Sequence, residues 1–158
     1  MDRYQKLMIA NGLLVTLVSM FAGFMLMFKL LGGFEIWPGN ILQFSVYGTT
    51  EGWVRAHTGG VTNGMLVVLF ALALPKLDLS EGMNRFCTWG LIYVAWTFTL
   101  FYWVGNAVEN RALTMGDNPM GEASLLSVIG FLPGLPSVIL APVILYIGAR
   151  AALRAIQE

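Results

Sequence analysis

The chain contains a single histidine, His57, within the segment Glu51–Met65. A neutral imidazole is basic near pH 7 and is a good ligand for iron, zinc or copper. The apolar run around His57 predicts that it lies near the start of a membrane-spanning helix. A polar ring at such a place is costly and indicates a function. His57 is therefore the first candidate for a metal ligand.

Gly60 and Gly64 follow His57 by three and seven residues, so all three share one face of a helix. Small residues four apart commonly mark a close contact between two membrane helices. The alternative is that both glycines leave room for a flat cofactor whose metal is bound by His57. Spacing alone favours the helix contact and leaves the cofactor interpretation open.

Two further polar side chains are candidates for contact with a substrate. Asn63 lies about 120° around the helix from His57 and forms either an interhelical hydrogen bond or a substrate contact. Tyr102 and Asn106 are spaced i, i+4 on the third apolar stretch, and Glu109 continues their face. A phenol can donate a hydrogen bond while its ring contacts an apolar ligand. A tyrosine near the end of a span is also an ordinary interfacial anchor.

The metal chemistry open to the chain is narrow. One histidine and one cysteine cannot form a closed metal site of several side chains within one subunit. A metal that arrives with its own equatorial ligands fits better, and a porphyrin needs only one axial ligand from the protein. If His57 binds a metal, haem is therefore favoured.

Arg55 and Arg111 are the basic residues nearest to the candidate site. Each can bind a carboxylate, such as a haem propionate. Each also has acidic neighbours in sequence, and spacing slightly favours salt bridges with Glu51, Glu109 or Asp117.

Composition places these residues in a membrane protein. The 158 residues are 57% hydrophobic and 11% charged, whereas about 25% charged residues is usual in soluble domains. Nine basic and nine acidic residues cancel, and no basic patch indicates a nucleic-acid partner. The single Cys87 excludes an internal disulfide.

Hydropathy predicts an all-α, integral membrane four-helix bundle that forms a single transmembrane domain over residues 1–158. The spans are expected at about 4–31, 52–74, 83–108 and 123–152, since about 20 apolar residues cross a bilayer. Residues 32–48 are too apolar for a solvated loop, and we expect irregular backbone there, at the interface or folded over the bundle. Pro133, Pro136 and Pro142 predict kinks in the fourth span.

The distribution of basic residues predicts the topology. One side of the four-span arrangement carries Arg3, Lys6, Lys76, Arg85, Arg150 and Arg154, and the other carries Lys29, Arg55 and Arg111. By the positive-inside rule, both termini lie in the cytoplasm.

Several blocks of the sequence resemble the bacterial styrene oxide isomerases. They are Gly32-Gly-Phe-Glu-Ile-x-Pro-Gly39, Glu51-Gly-Trp-x-Arg-Ala-His57, Asn63-Gly-Met65, Phe101-Tyr102 and Asn110-Arg-x-Leu-Thr-x-Gly116, with Asn118 shortly after. The resemblance covers about residues 32–121, and the first and fourth spans match mainly in hydropathy.

The resemblance implies a homotrimer in the bacterial inner membrane, with ferric haem b at the subunit interfaces. It implies a Meinwald rearrangement of an apolar aryl epoxide such as styrene oxide to an aldehyde such as phenylacetaldehyde. The substrate reaches the enzyme from membrane lipid. His57 is the implied axial ligand, and Tyr102 and Asn63 are implied to border the substrate. Contact with the cofactor is further expected for Arg55, Gly60, Gly64 and Arg111, and contact with the substrate for Asn106 and Phe98.

The sequence departs from the family pattern at Val94, where the family has an acidic residue. This leaves the identity of the substrate open. Two other functions also remain. One is a b-type haem protein for electron transfer or sensing, although a single histidine argues against two histidine ligands. The other is a non-catalytic membrane subunit or small transporter, which would lack the haem Soret band.

Overall fold

The computed structural model describes residues 1–156, so positions 157–158 of the expected domain lie outside the described residues. Four long helices run through it: α1 (Arg3–Leu31), α2 (Thr50–Ala73), α3 (Glu81–Gly105) and α4 (Leu125–Arg154). All four are long and apolar enough to cross a membrane, which confirms the predicted all-α membrane bundle. A short 3₁₀ turn, Leu74–Lys76, follows α2.

Polar side chains begin each helix by accepting hydrogen bonds from its first free backbone N–H groups. Asp2 caps α1, Ser80 caps α3 and Ser124 caps α4. Thr49 caps α2 by accepting from the Gly52 N–H at 3.0 Å. This cap fixes where the helix that carries the histidine begins.

The connection between α1 and α2 is more regular than expected. Residues 32–48, predicted to be irregular, contain an antiparallel hairpin of β1 (Gly33–Trp37) and β2 (Asn40–Gln43). Gly39 in its turn adopts a φ of +83°, which favours glycine. The hairpin pairs its own backbone groups, as a segment at the edge of a bilayer requires.

The third helix is shorter than predicted. The expected span reached residue 108, but α3 ends at Gly105, so Glu109 does not continue the face of Tyr102. The chain turns back here, and a Cβ on Gly105 would lie 2.7 Å from the Arg111 carbonyl oxygen. Asn106 is the first residue after α3, and its side-chain oxygen accepts a hydrogen bond from the Thr49 N–H at 2.9 Å.

The larger core cluster joins all four helices. Tyr4, Leu79 and Ala151 pack at its edge. Both ends of the chain and the α2–α3 turn therefore lie at the same end of the bundle. This arrangement groups the six basic residues as the topology prediction requires.

The smaller core cluster lies at the other end, below the hairpin. Trp53 is fully buried there, donates from Nε1 to the Tyr47 carbonyl at 2.8 Å, and packs edge-on against Trp103 at 5.2 Å between ring centroids. Partial burial raises the pKa of the Tyr47 phenol above its ordinary value. The cluster anchors the first turns of α2.

Small residues bring α1 and α2 into direct contact. Gly60 lies against the Ser19 side chain, and a Cβ on Gly64 would lie 2.6 Å from the Gly12 carbonyl oxygen. This is the helix contact that the spacing of Gly60 and Gly64 favours. The surface that these two glycines share is covered by α1, so their expected contact with a cofactor finds no support in the fold of one chain.

Replacing Gly64 with alanine is expected to weaken the bundle. The new methyl group would overlap Gly12 and Thr16, and overpacking commonly costs about 1–3 kcal/mol. Thermal unfolding in detergent, followed by tryptophan fluorescence, should show a lower Tm. Gly82→Ala is the matched control, because nothing lies within 4 Å of the added methyl and alanine favours a helix. Equal Tm values for the two variants would contradict the proposed contact.

Candidate functional site

The imidazole of His57 lies half-buried in the first third of α2, facing α1. Its Nδ1 is 2.8 Å from the backbone carbonyl oxygen of Ser19. A carbonyl oxygen only accepts hydrogen bonds, so Nδ1 must carry the proton and donate. The lone pair of Nε2 is then free, which is the form of the ring that binds a metal.

Gly23 on α1 provides the space for this ring. A Cβ at Gly23 would lie 2.9 Å from Nδ1 and 3.0 Å from Cε1 of His57. Gly23 is not among the candidate residues predicted from the sequence. A signal exists in the row of small residues Gly12, Thr16, Ser19 and Gly23 along α1, but only the paired helix shows its purpose.

Other protein ligands for a metal do not gather around His57. Among residues 1–156, no three His, Cys, Asp or Glu side chains lie close enough together to hold a metal ion. A metal that His57 binds would therefore have to bring its remaining ligands with it, as the iron of a porphyrin does.

A cavity of about 100 Å³ lies where the start of α2 meets the end of α3 and the loop after it. It brings together four of the residues singled out from the sequence. We call it the polar cavity, and its lining includes Arg55, Phe101, Tyr102, Asn106, Arg111 and Leu113. The name refers to Arg55, Tyr102, Asn106 and Arg111, which carry the polar groups of a lining whose surface is otherwise mostly apolar.

Asn106 joins two helices at the wall of the polar cavity. Its Oδ1 accepts the Thr49 N–H, and its side chain fills the space left by Gly48 and Gly52. Its Nδ2 is buried and has no hydrogen-bond partner among residues 1–156. Asn106 therefore has a structural role and one donor left over, while its expected contact with substrate remains a prediction.

A strained loop presents Arg111 to the polar cavity. Arg111 and Ala112 have φ values of +57° and +52°, a conformation that costs about 1–3 kcal/mol for such residues. Asn110, which is fully buried, holds it: Nδ2 donates to the carbonyls of Thr114 and Gly116, both at 3.2 Å, and Oδ1 accepts the Ala112 N–H at 3.1 Å.

Asn110 and Asn118 belong to blocks that resemble the family, but no role was predicted for either residue from the sequence. Asn118 supports the same loop, since its Nδ2 donates to the Asn110 carbonyl at 3.0 Å. Asp117, a suggested partner for arginine, instead accepts the Ala123 N–H at 2.7 Å. Two asparagines in a turn-rich segment are the signal that could have identified this network.

Tyr102 packs against the other side of α2. A Cβ on Gly59 would lie 2.6 Å from Cε2 and 3.1 Å from Oη of Tyr102, so Gly59 is where the phenol crosses the helix. Asn63 is one turn further along the same face of α2, and its Nδ2 is buried without a hydrogen-bond partner in the described part of the chain. Phe98 stacks on the Tyr102 ring at 6.4 Å between centroids. Phenol, amide and aromatic ring thus share the groove between α2 and α3.

His57 and Tyr102 do not meet within one chain. Gly59 is two residues after His57, which places the two about 200° apart around α2. The imidazole faces α1, whereas the phenol lies in the α2–α3 groove. Within the described chain the two groups therefore point to different sides of α2.

Known proteins are similar to this chain over most of its length. The family model described as styrene oxide isomerase matches residues 4–153. A curated protein from Pseudomonas fluorescens, named styrene-oxide isomerase, is 34% identical over 153 residues. That match covers 97% of this chain and 90% of the relative.

The tautomer of His57 can be measured directly, because the chain has one histidine. In metal-free protein labelled with ¹⁵N-histidine, we expect the nitrogen chemical shifts of a ring protonated at Nδ1. Gly23→Ala should displace the ring from the Ser19 carbonyl and shift the signals toward a mixture of tautomers. A wild-type ring protonated mainly at Nε2 would contradict the hydrogen bond assigned here.

Proposed function

The chain belongs to the styrene oxide isomerase family, and we propose that it converts aryl epoxides such as styrene oxide to aldehydes such as phenylacetaldehyde with ferric haem b as cofactor. The reaction class follows from the family, since both the family model and the 34% identical relative are named as isomerases. The cofactor and the course of the rearrangement are our proposal.

The hydrogen bond from His57 to the Ser19 carbonyl is the observation that carries the haem proposal. It leaves the Nε2 lone pair of a half-exposed ring free, as an axial ligand to iron requires. A backbone carbonyl that accepts from the other ring nitrogen is also the usual support of a metal-bound histidine. His57 therefore has the hydrogen bonding and exposure that a ligand to haem iron would need.

Arg55 and Arg111 suit the acidic edge of the same cofactor. Both line the polar cavity, and paired guanidinium groups bind carboxylates such as the two haem propionates. Bound ferric haem supplies Lewis acidity toward the epoxide oxygen.

The side chains in the α2–α3 groove have the chemistry to orient an epoxide. The Tyr102 phenol can donate a hydrogen bond to the epoxide oxygen, and the unpartnered Nδ2 of Asn63 offers a second donor nearby. The benzylic C–O bond must break, a hydride must move to that carbon, and a carbonyl must form, with no atom gained or lost. Phe98 beside Tyr102 helps to exclude water, which would otherwise yield a diol.

A cyclic homotrimer would complete this site. His57 and Tyr102 lie on opposite sides of α2, and a ring of identical subunits joins unlike surfaces head to tail. The exposed part of the half-buried His57 ring would then face the polar cavity of the next copy, with haem between them. This arrangement explains why one chain separates the metal ligand from the donors.

We further propose a bacterial inner-membrane location with both termini in the cytoplasm. The cytoplasmic end would carry the larger core cluster and most of the basic residues. The polar cavity would then lie near the opposite face of the membrane, and an apolar epoxide would reach it from the lipid.

Replacing His57 with alanine should remove haem and activity together. Purified His57→Ala protein is expected to show no Soret band and at least about a 100-fold loss of epoxide isomerisation, as loss of a catalytic metal typically causes. Thr62→Ala is the control, because the Thr62 hydroxyl is exposed and bonds only to its own helix at the Thr58 carbonyl. Full activity in His57→Ala would rule out haem bound at this residue.

Tyr102→Phe should separate binding of the cofactor from turnover. The variant keeps the ring that packs on Gly59 but loses the hydroxyl, so we expect normal haem content. A hydrogen bond to a group that gains charge is worth about 1.5–3 kcal/mol, which corresponds to a kcat lower by about 10- to 100-fold. Steady-state assays of aldehyde formation measure this. Unchanged kcat and product distribution would assign Tyr102 a packing role only.

A further inference from the structure

Helices α3 and α4 are in close contact at two positions along their length, and a space separates them between these positions. Gly130 sits tightly against α3, since a Cβ there would lie 2.6 Å from Cγ1 of Val104. The Ser137 hydroxyl lies 2.7 Å from the Thr97 hydroxyl. Between these two contacts, Gly134 leaves space: the nearest atom to an added Cβ is Cβ of Phe101, at 3.9 Å.

The space at Gly134 is a cavity of about 240 Å³, which we call the aryl pocket. Its lining is apolar and includes Phe98, Phe101, Leu113, Phe131 and Leu135. An apolar cavity of about 150 Å³ is large enough to stay dry and bind benzene. The aryl pocket can therefore hold a single aromatic ring with a small substituent.

The aryl pocket adjoins the polar cavity. Phe101 and Leu113 line both spaces, and the ring of Phe101 lies 5.7 Å from that of Tyr102. A molecule with an apolar ring and an oxygen at one end would match the two spaces together. On its other side the pocket borders Val138 and Leu135, which are exposed on α4 where lipid would surround the helix.

We infer that the aryl pocket between α3 and α4 binds the hydrocarbon part of the epoxide substrate and that Gly134 sets the size of the aryl group accepted. This inference rests on the proposed epoxide isomerase function and deepens it. Substrate enters from the lipid past Val138, its ring fills the pocket, and its oxygen is directed toward Tyr102 and the polar cavity.

The first test varies the volume at Gly134. Gly134→Leu fills the pocket and should raise KM for styrene oxide by about tenfold or more, with a smaller effect on kcat, because pocket fit controls discrimination at this scale. Gly134→Ala, whose methyl makes only ordinary contact, should stay near wild type for styrene oxide and lose activity mainly toward bulkier epoxides such as 4-phenylstyrene oxide. If Gly134→Leu does not fold, Val138→Phe at the rim serves instead.

The second test detects occupancy without turnover. A photoreactive phenyl diazirine should label wild-type peptides that contain residues 98–101 and 131–138, and excess styrene oxide should prevent this labelling. Labelling that styrene oxide does not reduce would identify the space as a lipid contact and overturn the inference. Unchanged KM values across the epoxide series in folded Gly134→Leu and Val138→Phe would overturn it as well.

The two tests also separate this inference from the proposed function. Labelling that styrene oxide blocks, in a protein that forms no aldehyde, would support the aryl pocket and refute the isomerase proposal. Aldehyde formation with kinetics insensitive to Gly134 would do the reverse.

Discussion

The hydrogen bond from the His57 imidazole to the Ser19 carbonyl connects the chemistry of this protein to its helix packing. It forms only because α1 and α2 approach closely at Gly23 and Gly60, where any side chain would meet the ring or the opposite helix. Lipid surrounds membrane helices with apolar groups, so close van der Waals contact between small residues replaces the hydrophobic effect as the reason for association. The tautomer of the His57 ring is thus set by the packing of two helix backbones, and no neighbour in sequence decides it.

The second helix has small residues on two sides, and each side receives a different partner. Gly60 accepts α1, whereas Gly59 and Gly52 accept the side chains of Tyr102 and Asn106 from α3. Each glycine inside a helix costs about 0.5–1 kcal/mol relative to alanine, and contacts on both sides of α2 offset that cost. The consequence is that the imidazole of His57 and the phenol of Tyr102 lie on opposite sides of one helix, about 10 Å thick with its side chains.

Much of the fold could be predicted from the sequence, because the physics involved is local or one-dimensional. Span length follows from bilayer thickness, the Thr49 cap from side-chain chemistry, and the contact at Gly60 from small-residue spacing. The early end of α3 could not be predicted, since it depends on the Arg111 carbonyl folding back onto Gly105.

The sequence could predict which residues line the candidate site, but it could not predict how they are arranged relative to one another. Residue spacing gives the angle of His57, Asn63 and Tyr102 around their own helices, but it does not say which neighbouring helix each one meets. The role of Asn110 could not be predicted, because it holds backbone groups of a loop whose shape no periodicity describes.

Val94 is almost fully buried on α3, four residues before Phe98, at a position where the family resemblance predicts an acidic residue. A buried carboxylate would need partners, and valine avoids that cost. With that acceptor absent, the polar groups around the groove are mainly donors: the Tyr102 phenol, two arginines and two unpartnered amide nitrogens. Donors of this kind match a ligand that brings an acceptor oxygen.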